Sequence, residues 1–171
     1  MAYVPGFHHD LFFSYAHADD LAWITAFEHS LQQFLSERLG SNIGAWEDRN
    51  KLRLGQNWQQ EIETAIQHTA AFIAIVSPHY HASTWCARER RLFLRSFPKQ
   101  EQMKAGAFYR FLKIVKTPWE DDEHLHFFPE LQHIAFYRKD VGPVGDVEFI
   151  PGASEFRERM REATSAIASL L

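Results

Sequence analysis

Ala70-Ala71-Phe72-Ile73-Ala74-Ile75-Val76 is an apolar run without a polar interruption, rich in branched side chains and stopped by Ser77-Pro78. A strand with one wet face would alternate polar and apolar residues, and a membrane span needs about 20 apolar residues in a row. The run is neither. It reads as a short strand buried on both faces, and such strands belong in parallel sheets covered by helices on each side.

The flanking sequence supplies those helices. Leu11-Phe12-Phe13-Ser14 is a short aromatic block that predicts a first strand ending at Ser14. Leu21, Ile24, Phe27, Leu31, Phe34 and Leu35 then recur at helical spacing, opened by the capping candidates Asp19 and Asp20 and closed by Gly40, a helix of about five turns. Residues 43–46 predict a brief second strand, and 47–57 a charged loop without periodicity. Trp58, Ile62, Ala65, Ile66 and Thr69 share a second helical face ahead of the apolar run. After Pro78, Thr84 is a candidate cap for a helix carrying Trp85, Glu89, Leu92 and Phe93, which ends before Pro98. Residues 108–115 and 134–137 predict a fourth and a fifth strand, separated by an acidic, histidine-containing stretch at 119–126. Phe156, Met160, Ala163, Ile167 and Leu170 mark the last helix.

Strand and helix alternate throughout, so the predicted fold class is α/β: a flavodoxin-like three-layer sandwich forming one domain over 1–171. Its five-stranded parallel sheet has the order 2-1-3-4-5. In that order the winding reverses between strands one and three, and ligands enter the crevice at their carboxyl ends. Two segments border it, 15–20 and 78–89.

Composition narrows the classes of function. A net charge of −4 argues against direct nucleic-acid binding, and 46% hydrophobic residues suffice for a core. The single cysteine, Cys86, excludes a disulfide framework and points to a reducing, cytoplasmic setting. Neither a signal segment nor a membrane span is present in the sequence, so no membrane partner is expected of this segment.

Missing motifs remove several uses of such a crevice. There is no GxGxxG after strand one, no GxxxxGK[ST], and no GxSxG. A phosphate-receiving domain would place an aspartate at the end of strand three, where this chain has Ser77. Asp10 lies at the opposite end of strand one and reads as a structural hydrogen-bond acceptor. Cys86 lacks a base beside it in sequence and reads as a packing residue. Glu89 remains, four residues after Trp85 on one helical face near the crevice. It reads either as a functional carboxylate or as a surface group paired with Arg88, Arg90 or Arg91. His79 with His81, and His124 with His126 beside Asp121, Asp122 and Glu123, have zinc-like spacing but no convincing further ligands, so no metal is expected.

Three ordered blocks then carry a resemblance. They are His9-Asp10-Leu11-Phe12-Phe13-Ser14-Tyr15, then Trp46-Glu47-Asp48-Arg49-Asn50-Lys51-Leu52-Arg53-Leu54-Gly55-Gln56-Asn57-Trp58, and lastly Ser77-Pro78-His79-Tyr80 with Ser83-Thr84-Trp85-Cys86-Ala87-Arg88-Glu89. Together they resemble the Toll/interleukin-receptor (TIR) domain, bacterial NAD⁺-cleaving members in particular. Beyond Phe97 the likeness is one of element order, with Phe136-Tyr137 echoing the family's aromatic third box.

The resemblance implies an NAD⁺ nucleosidase, giving nicotinamide with ADP-ribose or a cyclic isomer in bacterial defence signalling. It implies Glu89 as the catalytic carboxylate and Trp85, Phe13, Ser14, Tyr15, Ala16, Trp46 and Arg49 as substrate-binding residues. For Phe13 and Trp46, core packing is an equal alternative. NAD⁺ is then the substrate, and no cofactor is required. Asp48, Arg49, Lys51, Leu52, Arg53, Leu54 and Gly55 form the implied assembly loop, which docks other TIR domains head to tail, with filaments as one outcome. A fused or associated sensor domain is the other implied partner, which makes this chain the effector end of a longer protein. The family also contains modules that only assemble, so a non-catalytic adaptor is the second reading.

Overall fold

The computed structural model describes residues 2–46, 58–117, 132–140, 142–143 and 145–171. The predicted assembly loop, with Asp48, Arg49, Lys51, Leu52, Arg53, Leu54 and Gly55, lies outside the described residues, as does the acidic stretch with His124 and His126.

Five strands build the central sheet: β1 (His9–Ser14), β2 (Ala45–Trp46), β3 (Thr69–Val76), β6 (Phe111–Val115) and β7 (His133–Ala135). Their order is β2-β1-β3-β6-β7, and every neighbouring pair is parallel. With two small ribbons set aside, this is the predicted 2-1-3-4-5 order. All eight residues of β3 are buried, as its unbroken apolar run requires.

Two helical layers cover the sheet. On one side lie α1 (Leu21–Leu39) and α5 (Ser154–Ala168); on the other lie α2 (Trp58–Gln67), α3 (Pro78–Ala82) and α4 (Thr84–Arg95). Period-two alternation of side chains divides each strand between them. Leu11, Phe13 and Tyr15 join the cluster under α1 and α5, whereas Phe12 and Ala16 join the cluster under α2 to α4. Along β3 the same split sends Ala71, Ile73 and Ile75 one way and Phe72, Ala74 and Val76 the other.

Local chemistry sets the ends of α1. Asp20 accepts hydrogen bonds from the amides of Ala22 and Trp23, at 3.0 and 3.1 Å, and Gly40 closes the helix in the left-handed region at φ 64°. Asp10 is fully buried and accepts from the backbone amides of Tyr3, Val4 and Gly44 at 2.8–3.0 Å, which ties the amino-terminal segment and the start of β2 to β1. The structural reading of Asp10 is correct.

Four boundaries differ from the sequence reading. Thr69 is the first residue of β3 instead of the last on the α2 face, although its hydroxyl still donates to Ala65 O at 2.7 Å. Ser83, not Thr84, caps α4, because an additional short helix, α3, begins at Pro78 and ends against Ser83. The predicted fourth strand breaks at Arg110: β4 (Lys104–Ala105) and β5 (Phe108–Tyr109) form an antiparallel ribbon, and only β6 enters the sheet. Arg110 occupies the break, donating from its amide to Met103 O at 2.7 Å and from Nη1 to Ala70 O at 3.1 Å. The fifth strand likewise ends at Ala135, after which β8 (Tyr137–Arg138) pairs with β9 (Val147–Glu148).

Candidate active site

β1 and β3 are neighbouring parallel strands at the switch point of the sheet, and α3 and α4, which follow β3, pack on one side of them. Ser14, the last residue of β1, follows the parity of Phe12 and therefore faces that side. A lone hydroxyl at the end of an apolar strand needs a buried partner. Two oxygens lie within its reach: Ser14 Oγ lies 2.5 Å from Glu89 Oε2 and 3.2 Å from Tyr80 Oη. Ser14 and Tyr80 are buried, and Glu89 is only 5% exposed.

Glu89 is thus not a surface residue. Arg88 forms its ion pair with Glu63 of α2, and Arg91 Nε donates to Ala87 O within the helix. The Arg90 guanidinium lies 5.5 Å from the centre of the Tyr80 ring. A carboxylate removed from water costs free energy unless hydrogen bonds compensate it. The Ser14 hydroxyl supplies one such bond.

Cys86, one turn before Glu89, is buried against the same cluster. Burial first, then the charge of Glu89, pushes its thiol up to about 11, against opposing pulls from the Ser83 and Ser14 hydroxyls and from Arg90. It is a protonated packing group at neutral pH. Burial also drives the Tyr80 phenol far above its ordinary range.

Beside this cluster the β1–α1 connection is latched to α3. Ser77 Oγ donates to Asp19 Oδ2 at 2.6 Å and accepts from Tyr80 N at 3.0 Å, and His79 Nδ1 lies 3.0 Å from Asp19 Oδ1. Among the described residues no group of three or more His, Cys, Asp or Glu could hold a metal ion.

The other predicted site residues divide. Trp85 packs across α2 on Trp58, with ring centres 4.9 Å apart, and Arg88 lies 5.4 Å over its ring. Ala16 belongs to the α2 to α4 layer. Trp46 stacks on Phe12 at 5.3 Å and borders an edge cleft of about 400 Å³ shared with His8, His9, Gln60, Glu61, Thr64 and Ala65. Phe13 and Tyr15 point into the opposite layer, where Phe13 meets the edge of Phe27 at 6.4 Å. Their side chains are not brought to Glu89, because they have the wrong parity on the strand. Arg49 lies outside the described residues.

Tyr80, Asp19 and Ser77 were not foreseen as members of this cluster. The signal for Tyr80 was the parity of Ser14, a buried hydroxyl that one carboxylate alone does not satisfy. Asp19 was legible as part of the 15–20 border of the crevice and as a capping candidate for α1, and the capping position belongs to its neighbour.

A family model described as the TIR domain matches residues 11–142. No curated protein matches the chain. Among the described residues, no helix is long and apolar enough to cross a membrane.

Proposed function

This chain belongs to the TIR-domain family, and on that premise we propose that it cleaves NAD⁺ at the nicotinamide–ribose bond, with Glu89 carrying the chemistry. The observation that supports the reading best is a carboxylate, Glu89, buried beside the end of β1 at the switch point and hydrogen-bonded to Ser14 at 2.5 Å.

An ordinary glycoside needs a second carboxyl group to protonate an alkoxide leaving group. Nicotinamide does not. It is attached through a cationic pyridinium nitrogen, so the electron pair of the breaking C–N bond neutralises that nitrogen and the base departs uncharged. Positive charge moves instead onto the ribose, and an anionic side chain fixed nearby stabilises that transition state more than the ground state. Glu89 supplies the anion or holds the ribose hydroxyls. Water adding to the anomeric carbon and losing a proton to solvent gives ADP-ribose; a nucleophile from the same molecule gives a cyclic isomer. The Cys86 thiol, held protonated, takes no part. No resident metal or cofactor is needed for this route.

We assign Trp85 to the wall of the substrate site; its ring lies against Trp58 and under Arg88. The 47–57 segment, flanked by Trp46 and by the half-exposed Trp58, docks neighbouring copies, and activity depends on that assembly. Cytoplasmic defence signalling with a sensor partner is the corresponding setting.

The test is nicotinamide release from NAD⁺ by the chain displayed at high density on a bead, with products identified by mass. Glu89→Gln is expected to lower kcat by roughly 10²–10³-fold, the scale of one lost electrostatic stabiliser, and Glu89→Ala by at least as much. Undiminished release by both variants removes Glu89 from the mechanism. If the native chain releases nothing in any assembled form, the adaptor reading replaces the enzyme.

A further inference from the structure

We propose that Tyr80 is a positioning residue for Glu89, acting through the Ser14 hydroxyl; this rests on the reading of Glu89 given above. Ser14 Oγ is within reach of both Glu89 Oε2, at 2.5 Å, and Tyr80 Oη, at 3.2 Å, yet a serine hydroxyl has one hydrogen to give. The proposed chemistry needs Glu89 as an anion, and an ionised carboxylate can only accept. With the Ser14 hydrogen given to Glu89, the Tyr80 O–H is the donor to the Ser14 oxygen. In the working state of the site, Tyr80 donates to Ser14 and Ser14 donates to the carboxylate.

Tyr80 is equipped to be a permanent donor. Its side chain is fully buried, which keeps the phenol protonated well into alkaline conditions. Its backbone amide is anchored on Ser77 Oγ, itself tied to Asp19, and its ring carries the Arg90 guanidinium at 5.5 Å. The relay thus starts on α3, crosses the last residue of β1 and ends on α4. Three separately placed elements agree on one orientation of one carboxylate. Hydrogen bonds in series polarise each other, so the phenol strengthens the Ser14–Glu89 bond without touching Glu89. A positioned carboxylate acts on the sugar cation only within a narrow range of geometry, which the relay maintains.

Tyr80→Phe keeps the ring and its packing and removes only the donor. Two measurements read its effect. The first is the titration of the Glu89 carboxyl by carbon NMR on the labelled protein, which needs no turnover. Tyr80→Phe is expected to move the midpoint upward and Ser14→Ala further upward, while the double variant matches Ser14→Ala alone, because the phenol acts through the serine. The second is NAD⁺ turnover on beads. Tyr80→Phe is expected to lower kcat roughly tenfold, with KM within about twofold, and Ser14→Thr, which retains the hydroxyl, to recover most of what Ser14→Ala loses. An unmoved midpoint with native kcat in Tyr80→Phe overturns the relay, as does full additivity with Ser14→Ala. If the native chain shows no turnover at all, the NAD⁺ reading fails, and the carboxyl titration still decides whether the relay exists.

Discussion

The two faces of the central sheet are built from the same strands yet hold themselves together differently. Under α1 and α5 the contacts are apolar and aromatic: Trp23 stacks on Phe27 at 5.5 Å, and Phe136 meets Trp23, Phe27 and Phe156 edge-on at 5.3–5.7 Å. The polar atoms that intrude are satisfied, Trp23 Nε1 by Phe149 O at 2.9 Å and Lys116 by Glu148 at 2.9 Å. Under α2 to α4 the inner part holds an aromatic cluster, Phe72 against Phe12, Phe93 and Phe111, and the buried Lys113 of β6 shares the strand parity of Phe111. Toward the carboxyl ends of the strands, however, Ser14, Tyr80 and Glu89 replace hydrocarbon with a buried hydrogen-bond chain. Such a chain gives less stability than apolar packing of the same volume. The contrast says that one face is arranged for stability and the other accepts a cost where chemistry can occur.

The sharpest way to break that contrast is to remove one large side chain from each face. Phe27→Ala empties the aromatic cluster and is expected to cost about 3–5 kcal/mol of stability, lowering Tm by roughly 2–4 °C for each kcal/mol. Any NAD⁺ turnover by the folded fraction should survive, because Phe27 faces away from Glu89. Glu89→Gln is expected to do the opposite, lowering turnover by roughly 10²–10³-fold while moving Tm little. Thermal unfolding and nicotinamide release, measured on both variants, test the division. If Phe27→Ala abolishes turnover in protein that is still folded, the faces are not independent.

This division also explains what could be read beforehand. The order of strands was legible because apolar runs and helical stripes are long and periodic, and β3 leaves no alternative to a covered parallel sheet. The family match extends to residue 142, well past Glu89, where the last of the quoted signature blocks ends. Glu89 was legible as a candidate, but not its burial, since a glutamate among Arg88, Arg90 and Arg91 looks like a surface group until the helix is docked. Phe13 and Tyr15 show the converse. Adjacent to Ser14 in sequence, they belong to the other face, and a strand reverses its side-chain direction at each residue. The ribbons at Arg110 and Phe136 were missed because a chain can leave a sheet without any change in its apolar character.

Alkaline pH probes the polar face through Cys86 and Tyr80. Cys86 has its thiol pushed up to about 11 by burial, against an unfolded value of 9.0, so between these values the folded chain holds a proton that the unfolded chain has released. Stability from this group is complete below about pH 9 and declines as pH rises toward 11, by at most about 1.4 kcal/mol per pH unit. Tyr80, raised by the same burial, adds to the decline at the upper end. Urea unfolding between pH 8 and pH 11 should show this slope, and Cys86→Ala should flatten it. An equal slope in the variant would mean that other groups carry the alkaline loss.

The smallest effect separates two neighbours that sequence reading could not tell apart. Asp20 caps α1 on the dry face through the amides of Ala22 and Trp23, so Asp20→Ala should cost about 1 kcal/mol, near the middle of the range for lost caps. Asp19 bonds across the crevice to Ser77 and His79, and Ser77 in turn holds the amide of Tyr80. Asp19→Ala is therefore expected to leave α1 capped but to loosen α3, which amide hydrogen exchange reads directly: faster exchange at Tyr80 and His81 for Asp19→Ala, and at Ala22 and Trp23 for Asp20→Ala. If both variants loosen the same amides, the two aspartates serve one face, and the latch between the β1–α1 connection and α3 is not a separate device.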